Sequence, residues 1–178
     1  MAGAAQPEDL DHALAQMGTS QHPIVEQLQE LISLEAKTNT KAKAQPSCTD
    51  VTGFGLLGHL GEMLQASCQN RQVVLDGSAI PASPGAVKLL KDKYASSLAP
   101  ANRRAWSLLD PSQDHPAKVS LARAGRGVDP EDQQAMLELL VDPQTCGPLL
   151  LACPETTAQT LTAEGPWIPI GNATADHG

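Results

Sequence analysis

CTDVTGFGLLGHLGEM, residues 48–63, decides how the chain is read. Gly53, Gly55 and Gly58 satisfy the G-x-G-x-x-G spacing of a dinucleotide-binding turn, and the apolar positions that follow, Leu56, Leu57, Leu60, Met63 and Leu64, have helical period. A short extended piece, SCTDV (47–51), runs into the glycines, so the stretch predicts strand, tight turn and helix. A dinucleotide fold asks for a buried apolar strand before the first glycine and an acidic residue about 20 positions on. Asp76, at the end of the strand-like RQVVLD, meets the second requirement. SCTDV fails the first, being short and polar and carrying Asp50 almost at the turn.

Asp50 sets the chemistry. A carboxylate held ~4 Å from a pyrophosphate at an effective dielectric of ~20 is repelled by about 4 kcal/mol, and NAD brings no metal to relieve it. A nucleotide carried with Mg²⁺ reverses the sign, because this hard cation takes one or two carboxylates together with phosphate oxygens. Thr49 and Thr52 add hydroxyls, and the helix after Gly55 offers backbone N–H groups. Three readings stay open from this stretch alone: helix capping with close packing at the glycines, contact with a metal-bound nucleotide, and NAD binding.

Outward from the turn, helix and strand signals alternate. Residues 1–8, rich in Ala, Gly and Pro, read as frayed. From Pro23, the positions Ile24, Val25, Leu28, Leu31 and Ile32 predict an amphipathic helix of about three turns, ended by the polar connector KTNTKAKAQPS (37–47). Downstream, Ser83 and Pro84 read as a helix start, and Asp129-Pro130-Glu131-Asp132 repeats that signal with an acidic first turn suited to the helix dipole. Met136, Leu137, Leu140 and Val141 supply its buried stripe. PLLLACP (148–154) predicts a fully covered strand, Pro154 opens a helix, and WIPIG (167–171) reads as a last strand at a sheet edge because of Pro169. Residues 110–130 read as a loop with one possible strand. The alternation predicts a small layered α/β domain.

Composition narrows the function classes. A length of 178 residues fits one domain. With net charge -8 and 12 Lys or Arg, the chain has no basic stripe for nucleic acid or an anionic membrane. No apolar run reaches the ~20 residues of a membrane helix and the first residues lack a signal peptide's pattern, which predicts a cytoplasmic protein. Aromatics are only 2% of the chain, so Leu, Val, Ile and Ala must make the core. Cys48, Cys68, Cys146 and Cys153 form no C-x-x-C pair and read as reduced, mostly buried thiols.

A second constellation, LVDPQTCGPLLLAC (140–153), ends a helix at Asp142-Pro143 and sets Gln144, Thr145 and a glycine before a strand. It reads either as small polar groups at a sheet edge, where ligands bind, or as a plain helix-to-strand turn. Cys146 has no His near it in sequence to act as its base. His59 reads as a surface or helix-packing residue. Asn102, Arg103 and Arg104, after the small-residue loop YASSLAPAN (94–102), read as solvated groups with anion contact as the alternative.

Taken together, TDVTGFGLLGHLGEM and DPQT with its glycine and LLLA resemble the C-terminal half of selenophosphate synthetase, or selenide, water dikinase, over about residues 10–172. The resemblance implies an α/β (α+β) fold, the three-layer α/β/α C-terminal domain of the aminoimidazole ribonucleotide synthetase-like superfamily, flanked by a flexible segment 1–9 and a tail 173–178. It implies the conversion of ATP, selenide and water to selenophosphate, AMP and phosphate, with Mg²⁺. Asp50 falls on the aspartate that helps hold magnesium on ATP, and Thr49, Thr52, Gly53 and Gly55 shape that wall. Ser97 and Asn102 match the family's small-residue segment ending in asparagine, and Asp142, Gln144 and Thr145 match its later motif. Two departures accompany the match. Cys146-Gly147-Pro148 stands where the family has Ser-Gly-Gly, and the N-terminal half with the reactive cysteine or selenocysteine, its lysine and most metal-binding aspartates lies outside this sequence. The expectation is therefore an ATP- and Mg²⁺-site-contributing domain, inactive alone, whose partner is the N-terminal domain in the same or a split polypeptide. A free-standing nucleotide- or protein-binding module and an NAD-binding domain are the alternatives.

Overall fold

The structure is a computed structural model describing residues 3–38, 46–67, 70–112, 117–122 and 129–175. Among these, seven α-helices and five strands follow one another as α1 (Pro7–Met17), α2 (His22–Thr38), β1 (Ser47–Asp50), α3 (Gly55–Ala66), β2 (Arg71–Asp76), α4 (Ala86–Lys91), α5 (Ala99–Asn102), β3 (Ala117–Ala122), α6 (Pro130–Val141), β4 (Leu149–Ala152), α7 (Glu155–Glu164) and β5 (Gly171–Ala175). A 3₁₀ segment, Arg103–Leu109, continues from α5. The domain is thus mixed α/β, with two small sheets.

Helix α6 begins as its sequence dictates. The Asp129 side chain accepts a hydrogen bond from the Glu131 N–H at 3.0 Å, Pro130 occupies the first turn where its missing donor costs nothing, and Glu131 and Asp132 face the positive end of the dipole. Of its buried residues Ala135, Glu138, Leu140 and Val141, the last two pack in one cluster with Leu57 and Leu60 of α3 and Val73, Leu75 and Val119 of the larger sheet. Leu57 and Leu140 are both 0% exposed. Fully burying such a side chain stabilises by about 1.5–3 kcal/mol, so the α3–α6–β2 contact is the core on which the rest is hung.

In the larger sheet the order is β3-β2-β5, β3 parallel and β5 antiparallel to β2. β1 and β4 make a separate antiparallel pair in which Ser47 faces Ala152 and Asp50 faces Leu149. Because β1 and β2 lie in different sheets, α3 is not the crossover of a parallel βαβ unit, the topology a dinucleotide turn requires.

Several expectations shift. The last strand is Gly171–Ala175 rather than 167–171: the Ile170 carbonyl accepts from the Asp76 N–H at 2.8 Å, but the ladder proper starts only past Pro169, which has no N–H to give. It does lie at a sheet edge. β4 is half-covered rather than fully covered, since its only partner strand among the described residues is β1. α4 starts at Ala86 because the Ser83 hydroxyl donates to Gln16 Oε1 at 3.0 Å instead of capping, and Gly85, with φ 74°, turns the chain into the helix. α1 opens at Pro7, inside the stretch expected to fray, and α2 runs on to Thr38. The possible strand within 110–130 is β3. The expected tail 173–178 is strand at its start, since Ala173, Thr174 and Ala175 pair with β2, while residues 39–45 of the connector, most of the remainder of 110–130 (113–116 and 123–128), Cys68 and residues 176–178 lie outside the described residues.

Helices α1 and α2 sit differently from the rest. α1 buries none of its residues, leaving Leu10, Leu14 and Met17 at 54%, 56% and 42% exposure along one side. In α2, among the described side chains, only Leu28 is buried. Among the described residues no helix is long and apolar enough to cross a membrane. In urea denaturation, Leu140→Ala is expected to cost about 2–5 kcal/mol, as cavity-forming truncations do, whereas Leu14→Ala should stay within about 0.5 kcal/mol.

Candidate functional site

β1 delivers Asp50 to the edge of the fold. The β1–β4 pairing extends one step further, the Val51 N–H donating to the Pro148 carbonyl at 2.8 Å. Val51 is 4% exposed and points into the core, so Asp50 and Thr52 on either side of it fall on the opposite face. Asp50 is exposed and Thr52 half-buried. The carboxylate that carries the nucleotide reading therefore stands at the surface, where a ligand can reach it.

The two sequence constellations meet here. The Thr52 carbonyl accepts from the Gly55 N–H at 3.0 Å, closing the glycine turn, and from the Gln144 N–H at 3.1 Å, tying that turn to the α6–β4 connection. Gly55 has φ 69°, and a Cβ on it would lie 2.7 Å from the Val141 carbonyl carbon. A Cβ on Gly147 would collide with the Val51 carbonyl oxygen. Only glycine satisfies both positions. Pro148 stands where the resemblance implies a glycine, yet what the strand pairing needs from it is its carbonyl, which proline retains.

Asn102 locks the assembly. It is 6% exposed, and its amide donates to the Gly53 carbonyl at 2.8 Å and to the Val141 carbonyl at 3.1 Å, holding the glycine turn against the end of α6. Ser97 lies exposed before α5. Arg103, expected as a solvated charge, pairs through Nη2 with the buried Glu138 at 2.8 Å, donates from Nε to the same carboxylate at 3.2 Å, and stacks 5.6 Å from the Trp106 ring centre. Burial of Glu138 demands such a partner. Arg104 lies 5.8 Å over the Phe54 ring and so stands at the turn as an exposed cation.

Of the remaining expected residues, Thr49 sits on β1 opposite Leu150 and its hydroxyl donates to the Asp50 carbonyl at 3.3 Å. Asp142 is half-buried and accepts from Gln144 Nε2 at 3.1 Å. Burial pushes its carboxyl up from the ordinary aspartate range, the Gln144 hydrogen bond opposes this, and the nearby Glu138 adds to the rise. Thr145 is exposed on the same connection. Thus Thr52, Gly53, Gly55, Asn102, Asp142 and Gln144 are tied together by hydrogen bonds, with Thr49 and Asp50 on the adjoining strand β1 and Thr145 on the adjoining connection.

Sequence reasoning passed over one linkage. His59, only 8% exposed, places Nε2 3.2 Å from the Thr52 hydroxyl and Nδ1 2.9 Å from Glu62 Oε2. Its i, i+3 spacing with Glu62 was the available signal. The three described thiols correct an expectation: Cys48 and Cys146 are exposed and Cys153 half-buried, Cys48 because β1 among the described residues pairs with β4 alone. Partial burial of its sulfur and then the Asp50 charge push the Cys48 thiol up, away from reactivity. Among the described residues, no three His, Cys, Asp or Glu side chains gather to hold a metal ion, so a cation at Asp50 needs oxygens from its ligand or from elsewhere.

No family model matches the chain. Among curated relatives, it is 35% identical over 108 residues to a selenide, water dikinase of Nitratidesulfovibrio vulgaris, covering 61% of this chain and 26% of the relative. Over 113 residues it is 35% identical to one of Clostridium botulinum, covering 64% and 28%, and over 119 residues 33% identical to one of Agathobacter rectalis, covering 66% and 29%. The chain is thus similar to selenide, water dikinases over about three fifths of its length and matches little more than a quarter of theirs.

Gly55→Ala is expected to lower stability by more than about 1 kcal/mol, because it adds both a φ penalty and a backbone clash, measurable as a shift in the urea midpoint. Asp142 supplies a pH test. A carboxyl raised in the folded state binds its proton more tightly there, so its share of stability is full below the ordinary aspartate range and lost as pH rises through the higher folded value. Asp142→Asn keeps an acceptor for Gln144 and should flatten this slope: the variant's stability relative to wild type should rise on going from about pH 4 to about pH 7 in parallel denaturations.

Proposed function

We propose that the chain contributes the magnesium–nucleotide wall of a selenophosphate-synthetase-like enzyme, which converts ATP, selenide and water to selenophosphate, AMP and phosphate. The observation that carries this reading is the convergence of TDVTGFG and DPQTCG on one surface wall, with Asp50 exposed at its head. The relatives' shared name supports it from the side of sequence.

The donor set fits a hard cation in part. Asp50 offers a carboxylate, Thr52 on the same face adds a hydroxyl, and the Gln144 N–H bonds the Thr52 carbonyl behind it. Mg²⁺ bound there would neutralise phosphate charge. Gly53 and Gly55 keep the backbone close to the ligand, Asn102 holds that backbone in place, and Arg104 supplies a cation beside the turn. Asp142, half-buried and bonded to Gln144, orients the far side of the wall. A single carboxylate makes an incomplete magnesium cage, and phosphoryl transfer depends on positioned cations and donors around the phosphates. The working enzyme therefore draws its reactive cysteine or selenocysteine, lysine and further carboxylates from an N-terminal domain, in the same polypeptide or as a separate one.

A second reading, a free-standing nucleotide- or protein-binding module without catalysis, draws on Cys146 and Pro148 in place of the family residues and on the exposed Leu10, Leu14 and Met17. One experiment separates the two. Mixing the chain with a separately expressed N-terminal domain of a selenide, water dikinase should give selenide-dependent AMP formation that falls at least about a hundredfold in Asp50→Asn, the scale of losing a charge-stabilising group. AMP formation indifferent to Asp50 would overturn the magnesium role, and none in any mixture would favour the binding module. The isolated chain should bind Mg²⁺·ATP no more tightly than about millimolar in calorimetry, some 4 kcal/mol.

A further inference from the structure

His59 is a buried imidazole with a partner on each nitrogen, and that fixes more than its own position. A neutral imidazole has one N–H. The Glu62 carboxylate, 2.9 Å from Nδ1, only accepts, so the proton of a neutral ring belongs on Nδ1. Nε2 is then an acceptor, and the contact of 3.2 Å to Thr52 requires the hydroxyl to donate to it. The Phe54 ring lies beside the imidazole, centred 5.6 Å away and tilted at 40°. With its hydrogen committed inward, Thr52 offers a ligand only oxygen lone pairs.

We propose that Glu62 and His59 hold the Thr52 hydroxyl as an acceptor beside Asp50, so that this part of the wall receives the water shell of a hydrated divalent cation and disfavours a bare phosphate oxygen. The inference rests on the nucleotide reading above and adds a direction to it: the cation faces Asp50 and Thr52, and the phosphates lie toward the glycine backbone and Arg104. A phosphate oxygen placed on Thr52 would meet lone pair against lone pair, whereas a metal-bound water presents the hydrogen that the hydroxyl accepts. His59 and Glu62 are positioning residues, acting through Thr52.

The test uses the 178-residue chain and two readouts. In ¹⁵N-histidine NMR near neutral pH, His59 should carry its proton on Nδ1 with Nε2 bare, and Glu62→Ala should abolish that preference while Glu62→Gln, which keeps an acceptor, should preserve it. In a titration with Mn²⁺·ATP, paramagnetic broadening of the amides of residues 49–53 reports even weak binding. Thr52→Val should weaken it about tenfold, the scale of one hydrogen bond to a charged assembly, while Thr52→Ser stays within about twofold. A proton on Nε2, or Thr52→Val binding like wild type with broadening intact, overturns the acceptor role and leaves the nucleotide reading standing. No broadening of these amides, either in the wild-type chain or in its mixture with the N-terminal domain of a selenide, water dikinase, overturns both.

Discussion

Two stretches of main chain meet in this domain with no room for a side chain between them, and the site depends on that approach. Gly147 lies against the Val51 carbonyl and Gly55 against Val141. At this separation the polypeptides bond directly, through the Val51 N–H to the Pro148 carbonyl and the Gln144 N–H to the Thr52 carbonyl. A methyl group at either glycine would push apart residues 47–55 and 141–149, and with them Asp50 and Asp142. Asn102 repeats the constraint from a third direction, since its amide bonds one carbonyl from each side.

The electrostatics follow from this frame. The chain is acidic, at net charge -8, and Arg103, one of its few cations near the turn, is spent on the buried Glu138. That leaves Arg104 and the backbone donors against Asp50 and Asp142. On the proposed reading, a divalent ion bridging carboxylate and phosphate is what would make such a surface favourable for a polyphosphate. The Asp142 carboxyl is raised by its own burial and then by the buried Glu138 nearby.

Much of this was legible in the sequence wherever the cause is local. Helix α6 announces itself through Asp129, Pro130 and its first-turn acids, and the glycine spacing marks the turn before α3. Asp50 stood out because a charge next to a glycine turn has few uses. The errors came from tertiary partners. PLLLACP looks like a covered strand until one sees that only β1 pairs with it, and WIPIG yields to residues 171–175 because strand register is set by β2. Asn102 was singled out by resemblance, but its duty to two carbonyls 39 and 49 residues away has no sequence signature. The same holds for Arg103 with Glu138, and for Arg104 over Phe54. His59 with Glu62 was within reach at i, i+3, yet its meaning needed the Thr52 hydroxyl seven residues earlier to turn back onto the helix.

Among the described residues, helices α1 and α2 bury a single side chain, Leu28, and their hydrogen bonds to the rest include Ser83 to Gln16 and Gln27 to the Glu164 carbonyl. Elements with so few interior contacts open at free energies well below that of the whole domain. Their amides should therefore exchange with solvent through excursions that leave α3, α6 and the glycine turn closed. Two tiers of cooperativity are thus expected in one short polypeptide, with β1, the glycine turn and α6 in the slower one.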